Sequence, residues 1–156
     1  MTVLYFAYGS NMDCSQMRCR CRSARFKGIA VLPDHKLAFP RKSQSRRGGV
    51  AGAVAEDGAE VWGVLYEISE SDLPKLDCCE GFVENRAANY YVRKTCQVFL
   101  DGDPAAPMEV WTYFAVPQPG KHLPSSDYLQ QIIAGARFWG LPEAYIQHLE
   151  QIQTGP

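Results

Sequence analysis

The chain contains no uninterrupted apolar run of membrane-spanning length, so no membrane span is expected. It also lacks a basic excess: 16 Lys and Arg against 17 Asp and Glu leave a formal net charge of -1. Phosphate backbones are bound by a clear surplus of positive charge, so no nucleic-acid partner is expected either. The six cysteines, Cys14, Cys19, Cys21, Cys78, Cys79 and Cys96, never fall in a C-x-x-C spacing, and the three histidines, His35, His122 and His148, are scattered. A metal site on Cys14, Cys19 and Cys21 has no recognisable ligand pattern behind it, and ordinary free thiols are the better reading. The N-terminus has no basic flank, apolar core and small-residue cleavage site of a signal peptide, which points to the cytosol. With no internal repeat and no low-complexity segment, 156 residues at 46% hydrophobic content read as one domain, 1–156, with a sizeable core.

The most informative segment opens the chain. Val3-Leu4-Tyr5-Phe6-Ala7-Tyr8 is apolar and aromatic throughout, the pattern of a strand packed on both faces. Gly9-Ser10-Asn11 breaks it abruptly with residues that support tight turns. A strand ending in such a turn leaves backbone N–H groups pointing one way, a small concavity suited to an anion. An ordinary strand-to-loop exit has the same residues, so the segment alone leaves both readings open.

Asp13 to Arg25 reads as a short helix with a loop. Lys27 to Leu32 and Lys36 to Phe39 read as short strands parted by Pro33-Asp34, followed by a basic loop, Pro40 to Gly49, carrying Arg41, Lys42, Arg46 and Arg47. Such a run is either a solvated surface or an attractor for an anionic substrate in a nearby cleft. Strand signals resume at Val50 to Ala55 and Val61 to Ile68, with Glu56-Asp57-Gly58 predicted as a hairpin turn between them. Tyr90 to Leu100 and Met108 to Phe114 add two more strands, joined at Asp101-Gly102-Asp103-Pro104. So many short strands suggest a small closed or half-closed barrel. At the C-terminus, Leu129, Ile132, Ile133 and Ala136 share one helical face behind an N-cap at Ser125 or Ser126. Gly140 stops that helix, and Tyr145, Ile146, Leu149 and Ile152 form the stripe of the next. The fold class is α+β, a barrel-like sheet with flanking α-helices.

The second informative segment is Ser71 to Phe82. Ser71 is predicted to cap a short helix with Pro74 in its first turn, and Gly81 to end it. Glu80 then sits in the last turn, where the helix dipole disfavours a carboxylate by up to ~1 kcal/mol and raises its pKa. It reads either as a carboxylate tuned to take a proton near neutral pH or as a solvent-facing glutamate.

Together these residues resemble the γ-glutamylcyclotransferase family. Tyr5-Phe6-Ala7-Tyr8-Gly9-Ser10-Asn11, then Glu60-Val61-Trp62-Gly63-Val64, then Leu76-Asp77-Cys78-Cys79-Glu80-Gly81 occur in the family's order. Pro124-Ser125-Ser126-Asp127-Tyr128 and Gly140-Leu141-Pro142 with Tyr145 resemble its closing helices, so nearly the whole chain is covered. The resemblance implies a small mixed β-barrel and ring closure of a γ-glutamyl compound to 5-oxoproline with loss of an amino acid, without metal or organic cofactor. It implies Glu80 as the acid–base residue, and a substrate pocket formed by Tyr5, Phe6, Ala7, Tyr8, Gly9, Ser10 and Asn11 with Tyr91, for which Tyr90 is an alternative. The implied partner is a small γ-glutamyl molecule, and the implied assembly a monomer or homodimer. Two departures bear on the leaving group: no tyrosine occupies Pro117 to Leu123, where some members carry a pocket tyrosine, and Val83 to Asn89 looks longer than usual. A γ-glutamylamine cyclotransferase, a non-catalytic γ-glutamyl-binding module and a thiol or metal sensor are the competing readings.

Overall fold

In the computed structural model, which describes residues 1–155, the chain opens with strand β1 (Thr2–Ala7), a 3-10 turn at Ser10–Met12 and helix α1 (Cys14–Arg20). Two long strands, β2 (Arg25–Ser43) and β3 (Gly48–Ser69), precede a second 3-10 turn and helix α2 (Leu73–Cys79). Strands β4 (Tyr91–Leu100) and β5 (Pro107–Ala115) follow, then helices α3 (Ser126–Trp139) and α4 (Glu143–Glu150). The strands close into a barrel in the order β1–β3–β2–β4–β5. All neighbours are antiparallel except β1 and β5, which close the barrel as a parallel pair. Among the described residues, no helix is long and apolar enough to cross a membrane.

The expected turn at Glu56-Asp57-Gly58 is not a hairpin. β3 runs straight through it, and the four short strands expected across residues 27–68 are two continuous ones. The register explains why: Pro33 faces Glu60 while His35 faces Ala55, so the extra residues of β3 are absorbed opposite Asp34. Asp34 and Gly58 both take positive φ there, and Asp34 Oδ1 accepts the Gly58 amide at 3.0 Å. This is a large, special bulge, residues 56–59 opposite Asp34, built from turn-type residues. The basic loop is likewise shorter than expected, because β2 carries Arg41 and Lys42 out to Ser43 before the chain reverses.

Tyr5, Phe6 and Ala7 are buried because β1 has a strand on either side. The parallel pairing with β5 is confined to Tyr5 and Trp111. Beyond that point side chains bridge the seam: Thr112 Oγ1 donates to the Phe6 carbonyl at 2.7 Å, and the Tyr8 hydroxyl donates to the Tyr113 carbonyl.

The core gathers Phe6, Leu32, Val61, Val64, Leu65, Ile68 and Val98 from the barrel and Leu129, Ile132, Ala136, Ile146 and Leu149 from the helices. Each such side chain, fully buried, contributes about 1.5–3 kcal/mol. Helix α3 is capped as expected, with Ser125 Oγ accepting the Tyr128 amide at 3.2 Å and Gly140 left-handed at φ 77°. The cap before α2 differs: Ser69, not Ser71, accepts a first-turn amide, and Pro74 lies in the first turn of the helix.

Candidate active site

The turn after β1 is pinned by its carbonyls. The Gly9 and Ser10 carbonyls accept the Met12 and Asp13 amides at 3.1 and 2.9 Å. The Asn11 carbonyl accepts the Tyr66 hydroxyl at 2.9 Å, and the Met12 carbonyl accepts Trp139 Nε1 at 2.8 Å. Among the described residues, the amides of Gly9, Ser10 and Asn11 have no such partner. A turn whose acceptors are occupied and whose donors are unpaired has the chemistry to suit an anion. An added Cβ at Gly9 would stand 3.3 Å from Ala51 Cβ and 3.8 Å from the Tyr128 hydroxyl. Both residues line the cavity described next, so a side chain at position 9 would intrude on it.

That cavity, small and open to solvent on one side, is lined by Tyr5, Tyr8, Gly9, Ser10, Asn11, Ala51, Glu80, Tyr91, Thr112, Tyr113 and Tyr128. It lies where β1 and β5 part. Glu80 is the C-cap of α2, and Gly81 follows at φ 66°, the left-handed geometry that ends a helix and turns the chain away. The Glu80 side chain is 16% exposed, and its Oε1 accepts Asn11 Nδ2 at 2.9 Å. The same nitrogen donates to the Tyr5 hydroxyl at 2.9 Å, while Asn11 Oδ1 accepts Gln16 Nε2 at 2.9 Å and Arg20 Nη1 at 3.1 Å. A single buried amide thus ties the carboxylate to the turn.

Burial lifts the Glu80 pKa above the usual glutamate value, and Asp77 adds to the rise. Arg20, whose Nη1 lies 3.7 Å from Oε1, opposes it, as do the Asn11 hydrogen bond and the more distant charge of Arg46. Asp77 is held apart: its Oδ1 accepts Arg93 Nε at 2.9 Å and the Tyr113 hydroxyl at 2.6 Å. Burial also keeps the hydroxyls of Tyr5, Tyr8, Tyr91, Tyr113 and Tyr128 protonated, because each pKa moves upward. A carboxylate inclined to hold a proton, beside free amides, can both take and return one proton next to a developing negative charge.

Of the residues named from the sequence, Glu80, Tyr5, Tyr8, Gly9, Ser10, Asn11 and Tyr91 meet in this cavity. Phe6 and Ala7 do not line it: both side chains are fully buried elsewhere, and an added Cβ on Gly63 would collide with the Phe6 ring. Both belong to the hydrophobic core. Tyr91 donates to the Ala51 carbonyl at 2.6 Å, whereas Tyr90 is exposed outside the cavity, its ring under the Arg41 guanidinium at 4.7 Å. Thr112, Tyr113 and Tyr128 were not foreseen at the site. Tyr128 is within the quoted C-terminal motif, and its hydroxyl accepts the Ala51 amide at 2.9 Å. The Val83–Asn89 stretch does not line the cavity, and Asn89 folds it on itself by accepting the Val83 amide at 3.0 Å. Gln118, from the segment without a tyrosine, accepts the Lys42 amide at 3.0 Å.

Residues 60–149 match the AIG2-like family. The chain is 33% identical over 164 residues to a γ-glutamylcyclotransferase of Homo sapiens, covering 97% of this chain and 79% of that protein. It is 33% identical over 156 residues to a γ-glutamylcyclotransferase of Bos taurus, with the same coverage. A solved structure described as a γ-glutamyl cyclotransferase superimposes with a TM-score of 0.89 at 32% identity, covering 99% of this chain and 90% of that one.

Proposed function

The chain belongs to the AIG2-like family, and from that premise we propose that it is a γ-glutamylcyclotransferase forming 5-oxoproline, with Glu80 as its acid–base residue. The observation that carries this reading is a shared cavity: the Glu80 carboxylate and a turn whose amides are unpaired line the same small space.

The substrate supplies its own nucleophile, an α-amino group tethered to the γ-carbonyl it attacks. The protein's first task is therefore to hold the glutamyl chain folded, a contribution that reaches ~7 kcal/mol or more when alignment is good. Glu80 takes a proton from the α-ammonium, and the freed amine adds to the γ-carbonyl carbon. The negative oxygen that forms, or the substrate's α-carboxylate, is a fitting acceptor for the Gly9, Ser10 and Asn11 amides, and loss of one good donor to such an oxygen costs about 3 kcal/mol. The intermediate collapses as Glu80 returns the proton to the departing nitrogen. The second proton, shed by the ring nitrogen as it becomes a lactam, passes through the same carboxylate to the released amine, which leaves as an ammonium. One C–N bond forms, one breaks, and the carboxylate is regenerated. The raised pKa of Glu80 suits both halves of that cycle. This reading includes a cytosolic place of action.

Glu80→Gln tests it, since the amide preserves shape and cannot take the proton. Release of 5-oxoproline from γ-glutamyl dipeptides is expected to fall by about 10²-fold or more while substrate binding, followed by calorimetry, survives. Equal turnover by the two proteins would remove Glu80 from the role.

A further inference from the structure

Glu80 closes α2, a helix of only seven residues. A helix this short has little stability of its own, so its end stays where tertiary contacts put it. The contact is made one turn earlier, by Asp77, which is buried against the barrel wall. Its Oδ1 accepts two donors at once: Arg93 Nε from β4 at 2.9 Å and the Tyr113 hydroxyl from β5 at 2.6 Å. Arg93 and Tyr113 are paired directly across the β4–β5 ladder, so one rung of the barrel supplies both. The guanidinium is held in turn by aromatic faces, 4.7 Å from the Trp111 ring and 5.7 Å from that of Phe82. The Asp77 carbonyl accepts the amides of Glu80 at 3.1 Å and Phe82 at 2.9 Å. Residue 77 is thus tied to the barrel by its side chain and to the turn at Glu80 by its backbone. Neither Asp77 nor Arg93 lines the cavity.

We propose that Asp77, clamped by Arg93 and Tyr113, docks the end of α2 on the β4–β5 ladder and thereby holds Glu80 in place against Asn11. The proposal rests on the reading of Glu80 as the acid–base residue. Asp77 and Arg93 are positioning residues, since both act on substrate only through Glu80 and Tyr113. The clamp also sets a charge balance beside Glu80. The Asp77 carboxylate favours the protonated form of its neighbour, and Arg93 is the counter-charge that limits this effect. Removing the acid and removing the base of the pair therefore act on Glu80 with opposite sign.

The test follows 5-oxoproline release from γ-glutamyl dipeptides across pH. Asp77→Asn keeps an oxygen for both donors and removes the charge, so the acid limb of kcat/KM is expected to move down by about 0.3 pH unit or more. Arg93→Gln leaves the Asp77 charge unbalanced, and the limb is expected to move up by a similar amount. The position of a limb does not depend on how much protein is folded, and a purely structural role would not move it both ways. Asp77→Ala removes the clamp altogether. Its kcat, scaled to folded protein, is expected to fall about tenfold or more, while Asp77→Asn stays within about threefold of wild type. Limbs of Asp77→Asn and Arg93→Gln that superimpose on wild type, or that move the same way, overturn the proposal. So does an Asp77→Ala kcat within about twofold of wild type. These results leave the cyclotransferase reading standing, because the wild type still turns over. No 5-oxoproline from the wild type, or full turnover by Glu80→Gln, removes the function or its base, and the proposal with it.

Discussion

Thr112→Val isolates the seam at which the barrel is both closed and opened. Thr112 is fully buried, and its hydroxyl donates to the Phe6 carbonyl at 2.7 Å, where the β1–β5 ladder has ended. Valine keeps the shape and removes only that bond. The bond itself contributes about 1 kcal/mol, and a buried carbonyl left without a partner adds about 1–3 kcal/mol. The more apolar methyl offsets part of this, so a net cost of about 1.5–2 kcal/mol is expected. In a domain of this size each kcal/mol shifts Tm by roughly 2–4 °C, giving a fall of about 3–8 °C. Urea unfolding should show the midpoint moving at constant slope. Thr112→Ser keeps the hydroxyl and loses a methyl, so it provides the contrast: its cost comes from a small cavity, about 1 kcal/mol, and the seam survives. Valine as stable as threonine, or serine worse than valine, would refute the claim that this hydroxyl holds the seam.

Two further outcomes follow from the site. Burial raises the Glu80 pKa, so the folded chain holds that proton more tightly than the unfolded one. The stability this contributes is present below the ordinary glutamate pKa and is lost as pH rises through the folded value. Glu80→Gln is therefore expected to be the more stable protein at neutral pH, with the gap to wild type closing in acid; parallel stability curves would contradict this. In activity the sign is opposite, because the base must be deprotonated: kcat/KM falls as pH drops through a value above the usual glutamate range, and an acid limb near 4 would contradict it. Gly63→Ala would set a Cβ 2.4 Å from the Ala7 carbonyl and 2.8 Å from the Phe6 ring. A cost of about 1–3 kcal/mol in chemical denaturation is expected, with reduced turnover because Ala7 leads into the turn; a silent substitution would show that β1 yields freely.

Local signals carried the legible parts of the fold. Ser125 and Gly140 delimit α3 because capping and left-handed geometry depend on few neighbours. Glu56-Asp57-Gly58 misled for the converse reason. The same residues serve a hairpin or a bulge, and the choice lies with the strand opposite, where Asp34 takes up the slack. Ser69 displaced Ser71 as a cap by two residues, within the reach of either hydroxyl. At the site, the glycine-bearing turn and Glu80 were readable from motifs, and their common cavity was not. Tyr113 carries no local mark, and Tyr128 stands in the C-terminal motif only as part of a helix; the closure of the barrel brings both to the cavity. Phe6 and Ala7 share a motif with the cavity residues, and only the packing of the barrel shows their side chains to be core.

The cavity draws on β1 and its turn, the start of β3, the end of α2, the start of β4, the middle of β5 and the first turn of α3. During synthesis, the nascent chain cannot complete this cavity until Tyr128 has left the ribosome, and the hydroxyl that accepts the Ala51 amide arrives last of its lining. Activity should therefore appear late in translation, in step with docking of the C-terminal helices.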